Sequence, residues 1–496
     1  MAVNPIKSVL YYVSALLVLL GLILLLPVLL PISLYFRIYR LVLKRMILNS
    51  PDAVKGHADL VPAGDAIWLQ DSPENKAIIN AIAVLKGRPD IAKLQQILMD
   101  RLINAKNSKG ELLYRKLQQK FVKKYHRDVF IDEDNFDIKD HVYQYEGALP
   151  KTKNDVQKII SMLSWRAIDP EKAAWEIIVI PEIPVDDPDD GSCEYAFLLR
   201  FHHALADGMS LVKLFITRIV DKDPSDQKIT NKNFGGQNKV AQLAMAALFG
   251  PYILLERILW PADDSALHGP EVSGEKNVAW SRPIDLALIK KIKNAAKATV
   301  NDVLMACLGG ALRKHLTDND LPVPESMLAM IPVDLRGPVM DEALENHFGL
   351  VYLPLPTNIE DPMQRLKYTK SNMDAIKSSP EPLVSELMIK YSMSRFPTAL
   401  TRPLYKAISE KSTMVLSNVP GPQHVLRLGG QAITTLIFWP PQKANVGLGI
   451  SILSYAGEVR MGLIADKAVI ADPGPIPELF EQQIKTMAKL LNVKND

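Results

Sequence analysis

From Ser8 to Phe36 the chain carries no charged side chain, and leucine, valine and isoleucine dominate. No other stretch limits the fold so strongly. Wholly helical, such a run is ~44 Å long at ~1.5 Å per residue, more than the ~30 Å of hydrocarbon in a bilayer. Lys7 precedes it, and Arg37, Arg40, Lys44 and Arg45 follow it. A basic C-terminal flank puts the rest of the chain on the cytosolic side. Pro27 and Pro31 interrupt the run, so a kinked span or a re-entrant hairpin competes with a straight helix. The run is long for the apolar core of a signal peptide, and no clear small-x-small cleavage site follows. Residues 1–45 are therefore expected to form a membrane anchor with a basic flank.

The rest reads as globular. A chain of 496 residues is long enough for two core-bearing domains beside the anchor. Its 58 basic and 55 acidic residues leave a net charge of +3, without the basic excess that nucleic-acid binding needs. Cys193 and Cys307 are the only cysteines, which excludes a disulfide framework or a cysteine zinc site and fits a reducing compartment.

Residues 46–220 are expected to be an N-terminal half. Ile78 to Leu85, Trp175 to Ile180 and Tyr195 to Phe201 read as strands, while residues 90–123 and 154–164 carry helical periodicity. The acidic stretch Pro184 to Gly191 lacks a full set of calcium ligands and reads as a solvated hairpin loop. Residues 221–278 read as a linker, with Gly235-Gly236, then the apolar segment Val240 to Trp260. Pro251, Glu256 and Arg257 make that segment a poor membrane span. A crossover helix packed on the body is expected, with a second lipid-touching surface as the alternative.

Residues 279–496 form the second half. Thr299 is a candidate N-cap for the helix Val303 to Leu316. Residues 362–410 read as largely helical, Ser417 to Pro422 as a rigid turn, and residues 431–438, 447–455 and 458–464 as strands before a final helix over 476–491. Strands and helices mix in both halves without a repeat, as in an α/β (α+β) fold.

The chemistry concentrates in Phe201-His202-His203-Ala204-Leu205-Ala206-Asp207-Gly208, between a strand-like run and a helix-like run, Met209 to Val220. Neutral imidazole accepts a proton near pH 7. Neighbouring side chains on a strand point to opposite faces, so His202 and His203 do not chelate one metal ion together. One histidine is expected in a cleft and the other in the core. Asp207, in the turn ahead of a helix, is read as fixing the loop, and Gly208 as permitting a positive φ. There is no GxSxG elbow, no phosphate-cradling loop and no cysteine–histidine pairing. A histidine without a protein nucleophile points to direct transfer, in which an activated substrate hydroxyl attacks a thioester carbonyl in one step.

His202-His203-Ala204-Leu205-Ala206-Asp207-Gly208 matches the HHxxxDG signature of the coenzyme A-dependent acyltransferases. Its company resembles the wax ester synthase/diacylglycerol acyltransferase family: Trp175-Glu176, Asn301-Asp302, Pro332-Val333 with Leu335-Arg336, Asn418-Val419-Pro420-Gly421-Pro422, and Leu453-Ser454-Tyr455-Ala456-Gly457 with Asp466, all in that family's order. The resemblance covers residues 60–490. It implies two chloramphenicol-acetyltransferase-like domains with an active-site tunnel between them. Ala63-Gly64 stands before Asp65 where the family usually has Ser-Pro, and Glu345 precedes Asn346 where many members carry Gly. Bacterial members lack an anchor like residues 1–45, which suggests a eukaryotic membrane-bound form and the endoplasmic reticulum.

By the same resemblance His203 is the general base and His202 supports the fold. The acyl donor is acyl-CoA as co-substrate, with no further cofactor. The acceptor is a fatty alcohol, giving wax ester, or diacylglycerol, giving triacylglycerol. The oxyanion needs a donor across the cleft, and Asn301 and Asn418 are the candidates. Arg336 is expected as a bidentate partner of a buried Asp207. Asp302 is either a helix cap or an active-site residue. A membrane-tethered lipid-binding or lipid-transport protein without turnover is the alternative on the same fold.

Overall fold

Two mixed sheets carry the globular part, and a strand from the second half completes the sheet of the first. The computed structural model describes residues 5–51, 58–125, 127–184, 193–222, 239–336 and 344–494. The principal strands are β1 (Ile78–Lys86), β2 (Val142–Gln144), β3 (Trp175–Ile183), β4 (Glu194–His202), β5 (Lys276–Trp280), β6 (Ser326–Asp334), β7 (Phe348–Pro356), β8 (Met414–Pro420), β9 (Gln431–Trp439), β10 (Leu448–Tyr455) and β11 (Glu458–Asp466). The first sheet runs β9-β1-β4-β3-β2, and the second runs β7-β6-β8-β10-β11-β5. β9 pairs antiparallel with β1, from Ile433 opposite Leu85 to Trp439 opposite Asn80. β5, at the edge of the second sheet, begins within the stretch read as a linker.

β1, β3 and β4 are apolar on both faces because both faces are covered. The nine-residue strand β4 nevertheless buries Arg200 completely. Asn80, Arg200 and Glu176 lie side by side on three adjacent strands. Arg200 Nε donates to Asn80 Oδ1 at 3.2 Å, and its Nη1 pairs with Glu176. Burying that charge is tolerable only because its neighbours in register are polar.

The main helices are α1 (Pro5–Leu48), α2 (Lys153–Ser164), α3 (Gly208–Leu214), α4 (Lys239–Leu259), α5 (Val300–Asp318), α6 (Pro362–Ser378), α7 (Glu381–Arg395), α8 (Thr398–Ser409) and α9 (Pro475–Leu490). α1 is continuous through Pro27 and Pro31, so the re-entrant hairpin does not form. At 44 residues it is ~66 Å long, and it is docked at both ends. Near its N-terminus Tyr11 stacks on Phe249 of α4 at 5.6 Å, and Ala15 is buried. Towards its C-terminus Ser33 Oγ accepts from the Tyr391 hydroxyl at 2.7 Å, Phe36 meets Phe396, and Arg40 donates to the Ser394 carbonyl at 2.5 Å. Between these ends, residues 23–32 are exposed on every side.

α4 packs on the body as the expected crossover helix and leaves apolar side chains exposed on its outer face. Phe249 and Ile253 pack inward, against α1 and Val384 of α7, while Val240, Leu243, Leu255 and Leu259 are exposed. Two other expectations are corrected. The helical period over 90–123 stops early, with a helix over Ile91–Leu98 and one wider turn to Ile103. Asn107 Oδ1 then accepts from the amides of Lys109 and Glu111, and Gly110 takes φ +81°, which turns the chain towards a strand over Gln119–Lys124. Ser417 to Pro420 is not a turn but the end of β8, paired parallel with β10. The acidic loop 185–192 and Gly235-Gly236 lie outside the described residues.

Removing the partner of a fully buried charge is costly. Glu176→Ala is expected to lower unfolding free energy by about 3–5 kcal/mol, read as a drop in the urea midpoint at unchanged slope.

Candidate active site

β4 ends at His202, and His203 follows with its amide donating to the Ala77 carbonyl at 2.6 Å. That bond holds the turn against the start of β1. The two rings then diverge. His202 Nδ1 accepts from the Ala204 amide at 3.2 Å, and its Nε2 lies 3.6 Å from Asp71. His203 faces a cavity of about 1530 Å³ between the halves, which Asn301, Asn418 and Lys377 also line.

The His203 ring is held on two sides. Trp68 stacks on it with centroids 3.7 Å apart. Its Nδ1 lies 2.9 Å from Asn346 Oδ1. Asn346 Nδ2 donates to Asp65 Oδ1 at 2.9 Å and to the His203 carbonyl at 2.7 Å. With both amide protons so placed, the Asn346 carbonyl faces the imidazole, and the assigned tautomer carries its proton on Nδ1. Nε2 keeps its lone pair. Asp65 is anchored by Lys116 Nζ at 2.5 Å and by the Asn346 amide at 3.0 Å. Burial pushes the His203 pKa down to about 4, against the opposing charge of Asp207, so the ring is neutral near pH 7.

Asp207 is a joint. Its Oδ1 caps α3 by accepting from the Ser210 amide at 2.9 Å. Its Oδ2 accepts from the His347 amide at 3.0 Å and pairs with Arg336 Nη2. Arg336 also donates to the Glu345 carbonyl at 2.9 Å. The pair is not the expected bidentate fork, because the helix cap occupies the other carboxylate oxygen and Nη1 lies towards Asp334. Gly208 begins α3 without the positive φ expected of it, and a Cβ there would meet nothing within 4 Å. Glycine at this position leaves open space where the cavities meet.

Asn418 Nδ2 donates to Asn301 Oδ1 at 2.9 Å, so the two candidate oxyanion donors form one unit on the cavity wall. Asn301 lies in the first turn of α5, where Thr299 and Asp302 form a reciprocal capping box. Asp302 therefore caps the helix, and its other oxygen is buried with Lys377 at 4.0 Å.

Two further cavities adjoin the central one. A pocket of about 910 Å³ lies between α3 and the strands β9 and β10, and shares Ile79, Gly208, Val419 and Phe438 with it. A pocket of about 740 Å³ lies among α4, α7 and the strands β6 and β7, and shares Trp68, Phe348, Val415 and Pro441. In the sequence Asp65 and Asn346 stand only beside departures from the family pattern and nothing marks Trp68; folding brings Asp65 onto Asn346 and Trp68 onto His203.

A two-domain acyltransferase with its histidine between the domains is the class that fold and site define. Models of the wax ester synthase/diacylglycerol acyltransferase catalytic domain and of the WS/DGAT C-terminal domain match residues 62–259 and 344–488. The chain belongs to the wax ester synthase/diacylglycerol acyltransferase family and is an acyl-CoA-dependent O-acyltransferase. Wax ester synthase/diacylglycerol acyltransferase 10 of Arabidopsis thaliana is 26% identical, over 72% of this chain and 84% of its own. A Mycobacterium tuberculosis protein named for diacylglycerol O-acyltransferase activity is 25% identical, over 73% of this chain and 81% of its own. The solved wax ester synthase/diacylglycerol acyltransferase of Marinobacter aquaeolei VT8 superposes with a TM-score of 0.62 at 19% identity, over 88% of this chain and all of the other. The trichothecene 15-O-acetyltransferase of Fusarium sporotrichioides shares the fold with a TM-score of 0.57 at 10% identity, over 87% of this chain and 94% of its own.

Since unfolded histidine titrates near ~6.5 and His203 near 4, the unfolded state binds more protons between those values. Stability should therefore rise with pH across that window. His203→Gln is expected to flatten this part of the denaturation profile measured from pH 4 to 7.

Proposed function

We propose that the chain moves a fatty acyl group from acyl-CoA to the hydroxyl of a long-chain alcohol or of diacylglycerol, with His203 as general base. The observation that carries this reading is His203 on the wall of the central cavity, its Nδ1 2.9 Å from Asn346 Oδ1, with an apolar pocket adjoining that cavity on either side. Nε2 takes the proton of the acceptor hydroxyl as its oxygen attacks the thioester carbonyl. The tetrahedral oxyanion draws on the amide hydrogens of the Asn301–Asn418 unit. Collapse breaks the carbon–sulfur bond, and the departing CoA thiolate recovers the proton from His203. Asn346 holds the imidazole in the required tautomer, and Asp65 holds Asn346. A base buried neutral is poised to accept but stabilises its cation poorly. The aligned carbonyl of Asn346 and the nearby Asp207 charge offset part of that cost.

The same reading places the protein on a membrane, its catalytic body towards the cytosol, and on the endoplasmic reticulum in a eukaryotic cell. The apolar length of α1 and the exposed apolar face of α4 support it. Because two helices offer apolar surface, loss of residues before Pro31 should weaken membrane binding. Adding Leu243→Ser and Leu259→Ser on α4 should abolish it in a vesicle flotation assay.

Turnover is read as CoA release with hexadecanol or dioleoylglycerol as acceptor. His203→Ala should reduce kcat by roughly 10²–10⁴-fold, and Asn346→Leu should reduce kcat with little change in the acyl-CoA KM. The acid limb of wild-type kcat/KM should fall nearer pH 4 than 6.5. Lipid binding by the wild type without CoA release on either acceptor would favour the non-catalytic reading instead.

A further inference from the structure

The pocket among α4, α7 and the strands β6 and β7 lies beside the helix with the exposed apolar face. Ile253 and Leu254 of α4 line it, while Leu255 and Leu259 of the same helix are exposed. Its inner end is formed by Trp68 and Phe348, which also wall the central cavity. Trp68 lies flat on the His203 ring, and its Nε1–H is buried without a hydrogen-bond partner. The geometry points to a side portal through which the alkyl chain of the acceptor passes from the lipid surface to His203, closed by the Arg257–Glu381 ion pair. This inference rests on the proposed acyl transfer and adds the route of one substrate.

Three observations carry it. An alcohol with a long chain, or a diacylglycerol, is held in lipid, so its path must begin at an apolar surface; the acyl-CoA thioester is carried by a polar headgroup and suits the cavity lined by Asn301, Lys377 and Asn418. The unpartnered indole N–H of Trp68 gives the arriving hydroxyl a donor next to the base, and a buried donor left unmet is unfavourable.

The third observation is the latch. Arg257 on α4 places Nε 2.8 Å and Nη2 2.7 Å from Glu381 Oε1 on α7, and its guanidinium lies over the Tyr352 ring at 4.8 Å. Two opposite charges at the α4–α7 edge of the pocket are stable there only while paired, so this edge is closed when the pair is made; the pocket's other cation, Lys443, lies at the Trp68 end and donates to the Ile67 carbonyl at 2.6 Å. Gly250 of α4 faces Val384 of α7, and a Cβ there would make an ordinary contact 3.4 Å from Cγ2. Pro251 removes a helix hydrogen bond at the next residue, which allows α4 to bend beside the latch.

The test is photolabelling of the full-length protein in phosphatidylcholine vesicles with a diazirine-bearing hexadecanol, without acyl-CoA. Label is expected on residues 251–257 and 381–388. Leu254→Trp, or Met388→Trp on the opposite wall, should cut that label about tenfold and raise the hexadecanol KM about tenfold. The acyl-CoA KM and turnover of water-soluble hexanol should stay at wild-type values. Arg257→Leu combined with Glu381→Leu, which leaves neither charge unpaired, should speed labelling severalfold. Label confined to residues 211–219 and 453–455, beside the other apolar pocket, would overturn the portal. So would an unchanged hexadecanol KM in either tryptophan variant that melts as wild type. Labelling needs no turnover. A wild type that labels at the portal but never releases CoA refutes the acyl-transfer reading alone; one that turns over but labels elsewhere refutes the portal alone.

Discussion

The side-chain amide of Asn346 is shared between Asp65 and the His203 backbone, and this leaves its carbonyl for the imidazole. Asp65 and His203 belong to the first half of the chain and Asn346 to the second, so the tautomer of the histidine depends on the halves being docked. The docking is fixed elsewhere. β9 lends a full strand to the first sheet, and Asp207 joins the cap of α3 to Arg336 and the His347 amide. Asp207 and Asn346 are buried, and each meets more than one partner. That gives the interface a single geometry rather than a sliding apolar one.

The same docking creates the space around His203. Between two closely packed layers Trp68 and Phe348 stand between the central cavity and one apolar arm, and the open space at Gly208 adjoins the other. One arm adjoins α4, whose outer residues continue the apolar surface of α1. An apolar pocket and an apolar surface thus lie on one side of the molecule, while the Asn301, Asn418 and Lys377 wall offers polar groups. The buried imidazole of His203 lies between the two.

Much of the fold was legible in the chain. The runs that became β1, β3 and β4 are continuous apolar stretches with the length of strands, and Thr299 and Asp302 announce the start of α5 at capping-box spacing. Failures came where periodicity was overruled by local or distant partners. Helical spacing continued past Leu98 although Asn107 and Gly110 turn the chain. The proline-rich end of β8 looked like a turn because its pairing to β10 lies in residues far along the chain. Arg336 was found as the partner of Asp207, but not that the α3 cap would leave it one oxygen.

What the sequence determined by itself is local. It marks the apolar helix at the N-terminus, the strand–turn–helix that presents His203, and the ordered motifs of an acyltransferase. These depend on residues a few positions apart, where spacing and chemistry suffice. Which imidazole nitrogen holds the proton, which sheet β9 joins and where the cavities open were decided only by tertiary structure. Asp65, Trp68, His203 and Asn346 acquire their joint meaning from contacts between distant segments, and a single chain read in order holds no measure of such distances.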